Sequence, residues 1–321
     1  MVPLDPQKTD MIPDLVSIAI PAYKARFLAE AIQSALGQTY SNIELIIVND
    51  CSPEPVGKVV SQFHDPRIRY YANQKNLGNE SVVLNWNKCL SLARGEFFVL
   101  LCDDDLLKPA FLEKMLALAD KYPECNVFRS PTQYSDCSGK IIYATEPWPE
   151  YEDGIAFVNA ALRWKRKHTI TEFMYRTSYI KGKGGYISFP AAYYSDDASI
   201  MELSLDNGIA SLSGCYVTFR VSGENISSSE KYNKSKAIAA IKYYQWLESF
   251  LQGSRISNPL NIGNEIEYAI FNYLKPCSLL QKLHVLAILP AKYFSLRRRL
   301  ILACSVLHSK GRAGDGHTFS A

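Results

Sequence analysis

The first 130 residues of the chain alternate apolar runs of strand length with segments in which apolar residues recur at helical spacing. The strand-like runs are LVSIAI (15–20), IELIIV (43–48), RIRYY (67–71), EFFVLL (96–101) and NVFRS (126–130). The segments with helical spacing are RFLAEAIQSALGQ (26–38), residues 79–93 and PAFLEKMLALADKY (109–122). Continuous apolar strands that alternate with helices are typical of a parallel sheet buried on both faces. We therefore predict an α/β fold with a doubly wound, mostly parallel sheet and helices on both of its faces.

The pattern beyond residue 130 is less regular. Helical spacing recurs over 154–167 and 197–207, and EFMYR (172–176) and CYVTFRV (215–221) are strand-like. From about residue 230 onward the pattern is helical. This order predicts a mixed middle region followed by a mainly helical C-terminal extension.

Polar residues follow several of the predicted strands at the point where each strand ends. They are Pro21-Ala22-Tyr23, Asn49-Asp50, Asn73 to Gly78 and Asp103-Asp104-Asp105. In an open α/β sheet, ligands bind just beyond the carboxyl ends of the strands. We therefore expect these residues to line one crevice, with the three aspartates as one of its walls.

The three consecutive aspartates follow an apolar strand, and their mutual repulsion needs an explanation. Neighbouring carboxylates repel by roughly 1 kcal/mol per pair in water, and by more beside a low-dielectric wall. A bound cation would remove this repulsion. A solvated loop or a helix N-terminus would also tolerate the aspartates, and the triplet alone does not distinguish these possibilities.

The phosphate-binding loops of common nucleotide folds are absent from the sequence. The turn after the first strand is PAYKARF (21–27) and lacks glycine, and the pattern GxxxxGK[ST] does not occur. A phosphorylated nucleotide would therefore need another source of positive charge. A divalent cation, Mn²⁺ or Mg²⁺, held by carboxylates and by substrate phosphate oxygens would supply it.

Composition excludes several classes of protein. The apolar fraction of 47% and the charged fraction of 21% are those of a globular chain, and a net charge of +3 does not indicate a nucleic-acid partner. The eight cysteines show no regular spacing, which favours reduced, mostly buried thiols in a cytosolic protein. Residues 1–14 have no apolar core of signal-peptide length, and no stretch of the sequence approaches the length of a membrane span. We expect a cytoplasmic protein.

Two long segments carry the motifs of a known enzyme family. VSIAIPAYKARFLAEAIQSALGQTYSNIELIIVNDCSPE (16–54) has a strand ending in Pro-x-Tyr, a helix, Gln-Thr-Tyr and a strand ending in an acidic turn. NQKNLGNESVVLNWNKCLSLARGEFFVLLCDDDLLKPAFLEK (73–114) has an Asn-x-Gly segment and an acidic motif. Together they resemble the family-two glycosyltransferases, which have the GT-A fold and transfer sugars from nucleotide-diphosphate donors with inversion. The resemblance is continuous over 15–130 and fades through 131–225.

The resemblance implies a division of the chain into domains. A GT-A catalytic domain is expected over 14–228, with a nucleotide-binding half at 14–130 and an acceptor-binding half at 131–228. Residues 1–13 would be a flexible leader, and 229–321 a helical C-terminal region.

The resemblance also implies where the nucleotide base would bind. Pro21, Ala22 and Tyr23 would line the base pocket, with the Tyr23 ring packed on the nucleobase. Asp50 would accept a hydrogen bond from the base. Its neighbour Asn49 stands where relatives carry a second aspartate.

The rest of the donor site is implied by the two later motifs. Asn76 and Gly78 would contact the nucleotide sugar, and Asp103 would hold the ribose. Asp104 would bind the metal ion directly, and Asp105 would reach it through water.

The resemblance assigns the catalytic base to YYSDDASIMELSL (193–205). Transfer with inversion needs a carboxylate that removes the proton of the attacking hydroxyl. Asp197 occupies the matching position, with Asp196 beside it. An aspartate before a helical run is also a common N-cap, and the two roles are compatible.

Two positions depart from the family pattern. Cys102 replaces the first acidic residue of the usual Asp-x-Asp-Asp motif, so the motif does not fix which carboxylates touch the ion. Ser222 stands where relatives often have histidine, which leaves Arg220 or Glu224 as substitutes.

The segment LLQKLHVLAILPAKYFSLRRRLILAC (279–304) combines leucine-rich faces with basic residues. A basic amphipathic helix can lie on an anionic membrane surface. Helices packed on the catalytic domain with solvated charges would give the same pattern. Both interpretations remain open.

These observations together predict a metal-dependent glycosyltransferase. It would act on a glycan or lipid-linked glycan in the synthesis of a bacterial cell-surface polysaccharide such as O-antigen, capsule or exopolysaccharide. It would be cytoplasmic, with peripheral contact to the inner face of the plasma membrane as one possibility. The alternatives are a sugar nucleotidyltransferase and a catalytically inactive glycan-binding scaffold.

Overall fold

The computed structural model of the protein describes residues 11–78, 81–163, 165–223, 225 and 229–308. Most of the predicted leader (1–13), the substitute Glu224 and the end of the C-terminal region lie outside the described residues. The first strand begins at Ile12, within the last two residues of the predicted leader.

The strands lie in chain order along the described residues. They are β1 (Ile12–Ala22), β2 (Ile43–Asn49), β3 (Ile68–Ala72), β4 (Gly95–Leu100), β5 (Leu106–Leu107), β6 (Val127–Arg129), β7 (Thr132–Ser135), β8 (Ile141–Ala144), β9 (Tyr151–Glu152), β10 (Phe173–Arg176), β11 (Ile209–Ser211) and β12 (Val217–Arg220).

The helices alternate with the strands at first and then dominate. They are α1 (Leu28–Leu36), α2 (Val56–Val60), α3 (Val82–Leu92), α4 (Phe111–Lys121), α5 (Gly154–Ala161), α6 (Thr177–Gly182), α7 (Ser195–Ser204), α8 (Asn233–Gly253), α9 (Ile262–Leu274), α10 (Leu279–Ala287) and α11 (Leu296–His308). Short 3₁₀ turns lie at Ile170–Glu172, Pro190–Ala192 and Glu230–Tyr232.

The strands form one large and one small sheet. The large sheet has the order β3-β2-β1-β4-β10-β6-β11-β9, and its first four strands are parallel. Strand β10 lies antiparallel between β4 and β6. The small sheet has the order β5-β12-β7-β8, so the strand predicted at CYVTFRV lies outside the large sheet. The predicted α/β fold with a large central sheet and a helical C-terminal part is confirmed.

Helices cover both faces of the large sheet. Six consecutive residues of β1, Leu15–Ile20, are buried, and successive side chains of a strand point to opposite faces. Helices α1 and α4 share one core with Ile18 and Ile20. Helix α3 packs on β1 and β2, and its buried Val83 and Leu90 lie outside that core. This two-sided burial explains why the strands are continuously apolar in sequence.

The parallel strands bring three loops to the same edge of the sheet. Ala22 pairs with Asn49 at the ends of β1 and β2, and Ala19 pairs with Leu100 at the end of β4. The segments that follow are 23–27, 50–55 and 101–105. Because the strands are parallel, these segments leave the sheet side by side, as the sequence predicts.

Two helices have bounds other than those predicted. Helix α5 ends at Ala161 rather than at residue 167, and the chain that follows carries the buried His168. Helix α7 begins at Ser195, two residues before the predicted start, so that Asp196 and Asp197 lie in its first turn. Acidic groups stabilise a helix there, because the first N–H groups carry partial positive charge.

The described residues divide into two compact units. The first lies within Met1–Ser188 and Ser195–Gly223, and the second lies within Phe189–Tyr194 and Glu224–Ala321. The second unit contains α8 to α11 and an aromatic cluster in which Tyr194 stacks on Tyr243 at 4.4 Å. Along the described part of the chain, none of the helices has the length and apolar character that a membrane crossing requires.

All eight cysteines are free thiols, as expected for a reduced protein. The expectation that most are buried is wrong, because only Cys89 and Cys125 are buried and Cys51, Cys137 and Cys304 are exposed.

Candidate functional site

The first carboxylate of the triplet joins the ends of β1 and β4. Asp103 Oδ2 accepts hydrogen bonds from the backbone N–H groups of Tyr23 (2.8 Å) and Lys24 (2.7 Å). Its side chain is almost fully buried. Asp103 therefore fixes the turn that follows the Pro-x-Tyr motif.

An ammonium group lies beside the first two carboxylates. Lys24 Nζ is 2.5 Å from Asp104 Oδ2 and 3.6 Å from Asp103 Oδ1. Asp104 Oδ2 also accepts a hydrogen bond from Ser222 Oγ at 3.0 Å. The acidic loop thus binds a cation, and in this structure the cation belongs to the protein.

The third carboxylate has a different environment. Asp105 is fully buried, and its two oxygens accept hydrogen bonds from Thr171 Oγ1 (2.6 Å) and from the Arg220 backbone N–H (3.1 Å). The Arg220 guanidinium binds the Asp104 carbonyl (3.1 Å) and Glu30 (2.6 Å). These contacts hold the acidic loop against β12 and α1.

Burial changes the ionisation of the loop. It raises the pKa of Asp103 to about 6, with Lys24 opposing the shift and Asp104 adding to it. It raises the pKa of Asp105 to about 7, with Asp104 as the next cause. For Lys24, burial favours the neutral amine, but Asp103 and Asp104 outweigh it and raise the pKa. The site therefore favours additional positive charge.

The predicted base-binding residue lies in a network of its own at the end of β2. Asp50 Oδ1 accepts hydrogen bonds from Asn73 Nδ2 (2.8 Å) and from the Leu77 N–H (2.9 Å), and Oδ2 accepts one from the Gly78 N–H (2.8 Å). A Cβ at Gly78 would lie 3.0 Å from Asn76 Oδ1 and 3.2 Å from Asp50 Oδ2. The structure thus brings Asp50, Asn76 and Gly78 together, with close backbone approach at the glycine.

The Pro-x-Tyr residues lie beside this network. Pro21 pairs with Val48, and the Ala22 carbonyl accepts the Asp50 N–H at 2.9 Å. Tyr23 is 40% exposed at the same edge. A ring in this position is accessible to a stacking partner, and its role in base binding stays a prediction.

The predicted catalytic base lies in the first turn of α7. Burial and Asp196 raise the pKa of Asp197 to about 6, and a positively charged His168 would act in the opposite direction. His168 Nε2 is 3.6 Å from Asp197 Oδ1. A carboxylate with a pKa near 6 is ionised at neutral pH and retains the basicity that proton removal needs.

The donor set of the acidic loop fits a divalent ion. Mg²⁺ and Mn²⁺ usually take one or two protein carboxylates and complete their shell with water and substrate phosphates. Asp103 Oδ1 and Asp104 Oδ2 face the same cation, whereas both oxygens of Asp105 are already hydrogen-bonded. Among the residues described, no group of three or more His, Cys, Asp or Glu side chains forms a complete metal site.

Four residues of the site have no role in the sequence prediction. Lys24 lies in the glycine-free turn PAYKARF, and Ser222 is a departure from the family pattern. The sequence does not mark Thr171 or His168 as site residues, because a lone threonine or a histidine after a basic run is common at protein surfaces. Only the folded chain shows that they contact the predicted carboxylates.

The family model described as Glycosyl transferase family 2 matches residues 17–189, which is more than half of the chain. The succinoglycan biosynthesis protein ExoO of Rhizobium meliloti is 31% identical over 117 residues, covering 36% of this chain and 33% of that protein. Glycosyltransferase GlyG of Streptococcus pneumoniae is 28% identical over 133 residues, covering 40% of this chain and 43% of that protein. The chain spans less than half the length of the curated relatives it matches.

A solved structure shares the fold. The crystal structure of S. aureus TarS 1–349 in complex with UDP-GlcNAc has a TM-score of 0.57 and 18% sequence identity, covering 90% of this chain and 86% of that chain. At this identity the likeness establishes the architecture, which confirms the expected GT-A fold. Together with the family match over 17–189, it identifies this chain as a member of glycosyl transferase family 2.

Proposed function

We propose that the protein transfers a sugar from a nucleotide-diphosphate donor to an acceptor hydroxyl, with inversion at the anomeric carbon. The observation that carries the proposal is the convergence of Asp50, Asp103 and Asp104 at one edge of the parallel sheet. In a member of this family, that edge is suited to a nucleotide whose phosphates are bound through a cation.

Donor binding would use the two networks at this edge. Asp50 is oriented by backbone N–H groups and would accept a hydrogen bond from the base, while the exposed Tyr23 ring stacks on it. Asp103 Oδ2 is occupied by backbone donors, so Oδ1 would accept from a ribose hydroxyl.

We propose Mn²⁺ or Mg²⁺ as the cofactor, held by Asp104. When bound, the ion would neutralise the diphosphate and stabilise it as a leaving group. Lys24 would have to leave Asp104, because its ammonium occupies the Oδ2 that faces the cation position. Ser222 would then help to orient the same carboxylate.

Asp197 would act as the base. Its carboxylate would take the proton of the acceptor hydroxyl as that oxygen attacks the anomeric carbon and the bond to the diphosphate breaks. The raised pKa of Asp197, about 6, supports this role, because the group is ionised at neutral pH and still accepts a proton readily.

The acceptor would be a growing glycan of a cell-surface polysaccharide. Support comes from the resemblance to ExoO, a succinoglycan biosynthesis protein, over about a third of either chain. Free thiols throughout the chain agree with a cytoplasmic location.

We also propose that α10 and α11 contact a membrane surface. Their exposed apolar side chains are Leu279, Leu280, Leu283, Leu296, Leu300 and Ile301. The basic residues of these two helices would contribute less to membrane binding than the sequence suggests. Lys282 is buried on the Val306 carbonyl, and Arg298 pairs with Glu267, so the apolar face would carry most of the binding.

The reaction is tested by identifying its products. A panel of UDP-, GDP- and TDP-linked hexoses is screened for the largest thermal shift with Mn²⁺, and the hit is then incubated with the enzyme. Release of nucleoside diphosphate supports glycosyl transfer, whereas pyrophosphate chemistry with a sugar phosphate would indicate a nucleotidyltransferase. No turnover of any bound donor, with water or glycan as acceptor, would indicate the inactive scaffold.

A further inference from the structure

His168 is buried next to the proposed base. Its side chain is 3% exposed, and its ring makes edge contacts with Trp148 (6.2 Å) and Phe173 (5.5 Å). Nδ1 lies 3.0 Å from the Arg166 carbonyl oxygen. Because a carbonyl only accepts, Nδ1 carries the hydrogen, and in the neutral ring Nε2 is an acceptor.

The second ring nitrogen has no hydrogen-bond partner within the described part of the chain. Nε2 is buried, and the polar atom that faces it is Asp197 Oδ1 at 3.6 Å. A buried polar atom without a partner is costly in a folded protein. With the ring neutral and Asp197 ionised, neither Nε2 nor Oδ1 carries a hydrogen to share, and their 3.6 Å separation is longer than a hydrogen bond.

Proton transfer to Asp197 would allow a hydrogen bond between its carboxyl group and His168 Nε2. Once Asp197 has taken the proton of the acceptor hydroxyl, it carries an O–H that can donate to Nε2. The glycosidic C–O bond forms, the bond to the diphosphate breaks, and the proton stays on Asp197. A contact that strengthens as the proton arrives stabilises the transition state more than the ground state.

We propose that His168 is a positioning residue whose Nε2 receives the O–H of Asp197 after proton transfer. The proposal rests on the assignment of Asp197 as the base. Asp196, next to it in the chain, also faces Asp197, and the ring neighbours of His168 are aromatic.

The test compares His168→Phe, which keeps the aromatic shape without a nitrogen, with His168→Gln, whose amide oxygen can accept. Nucleoside diphosphate release is measured with the donor found in the panel and water as acceptor. His168→Phe should lower kcat by about tenfold or more with donor KM unchanged, and His168→Gln should recover most of the rate. His64→Phe, at an exposed histidine, is the matched control.

The double variant separates positioning from a structural role. In an Asp197→Asn background, His168→Phe should cause no further loss, whereas a structural defect would lower the residual rate again. If His168→Phe does not fold, His168→Met takes its place. Wild-type kcat in the folded His168→Phe variant, or equal losses of kcat in His168→Gln and His168→Phe, would overturn the role of His168. Neither result would affect the assignment of Asp197 as the base. Full activity of Asp197→Asn would overturn the base assignment itself.

Discussion

A single side chain offsets part of the charge of the acidic loop. Lys24 Nζ contacts Asp104 and lies within 3.6 Å of Asp103, so the repulsion between these carboxylates is offset by the protein's own ammonium. A divalent ion would compete with Lys24 for the same oxygens. The turn after β1 therefore carries both the backbone N–H groups that donate to Asp103 and the Lys24 ammonium, which must leave Asp104 before a metal ion can bind there.

Lys24→Met should increase the affinity for Mn²⁺ in the absence of nucleotide. The change removes the competing ammonium and keeps the side-chain length. It also removes a charge that holds down the pKa of Asp103, so the comparison is made at pH 8.5 where the carboxyl groups are ionised. Calorimetry should show about tenfold tighter binding, a gain of ~1.4 kcal/mol.

Lys88→Met, at an exposed lysine of α3, is the matched control and should leave Mn²⁺ affinity unchanged. Equal or weaker binding to Lys24→Met would show that Lys24 does not occupy the metal position.

At the scale of elements, one short segment links the acidic loop to the proposed base. Residues 168–172 place His168 against Asp197 and Thr171 against Asp105. Glu172 anchors the segment through a fully buried ion pair, with Arg129 Nε at 2.5 Å from its Oε1. Arg129 also lies 3.6 Å from the centre of the Trp148 ring.

Glu172→Gln should destabilise the protein by about 3–5 kcal/mol, because it leaves the Arg129 guanidinium buried without its countercharge. The free energy of unfolding in urea measures the loss. Arg129→Met in the same chain should restore part of it, since the pair is then replaced by an apolar contact. A change below about 1 kcal/mol in the single variant would mean that water or other groups compensate the charge.

Element length decided how much the sequence could predict. Strands β1, β2 and β4 are long and buried on both faces, so their apolar runs were visible and their loops could be placed at one edge. Strands β5, β7, β8 and β9 have two to four residues, too few for a period to show, whereas the equally short β6, β10 and β12 lie within the longer strand-like runs NVFRS, EFMYR and CYVTFRV. The insertion of β10 between β4 and β6 is a non-local pairing that no local pattern reports.

The site residues were predictable where they follow long strands and were not predictable elsewhere. Asp50 and Asp103 come directly after long strands, so their position was predictable from chain order. His168 lies just before the short 3₁₀ turn Ile170–Glu172 and Thr171 lies within it, and their contacts exist only after distant parts of the chain have folded. Their importance could not be read from residue type or spacing.

At the scale of the whole molecule, the helical unit presents apolar side chains that its own packing leaves exposed. Leu280 on α10 and Leu296 on α11 are 80% and 75% exposed. Arg297, directly after Leu296, is exposed, while Arg299 donates to the Leu289 and Phe294 carbonyls. Any membrane binding would therefore depend on apolar contact more than on charge.

The 321-residue chain should co-sediment with lipid vesicles, and the Leu280→Gln, Leu296→Gln double variant should bind severalfold less. Because most of the basic groups are engaged within the unit, replacing anionic by neutral lipid should have a small effect. Ile142→Gln, at a 60% exposed isoleucine of β8, is the matched control. Binding that needs anionic lipid and ignores the leucine changes would contradict this assignment.

Calorimetric titration of UDP, GDP and TDP, with and without Mn²⁺, most directly tests whether the buried aspartates bind a diphosphate through a divalent ion. At least one nucleotide should bind the wild type only when Mn²⁺ is present, Asp104→Asn should lose this binding, and Asp120→Asn on the exposed face of α4 should keep it. The affinity should rise between pH 6 and pH 8, because the pKa values of Asp103 and Asp105, about 6 and about 7, mean that protons compete with the ion below this range. Nucleotide binding of equal strength without Mn²⁺, or undiminished binding to Asp104→Asn, would contradict the metal-mediated site.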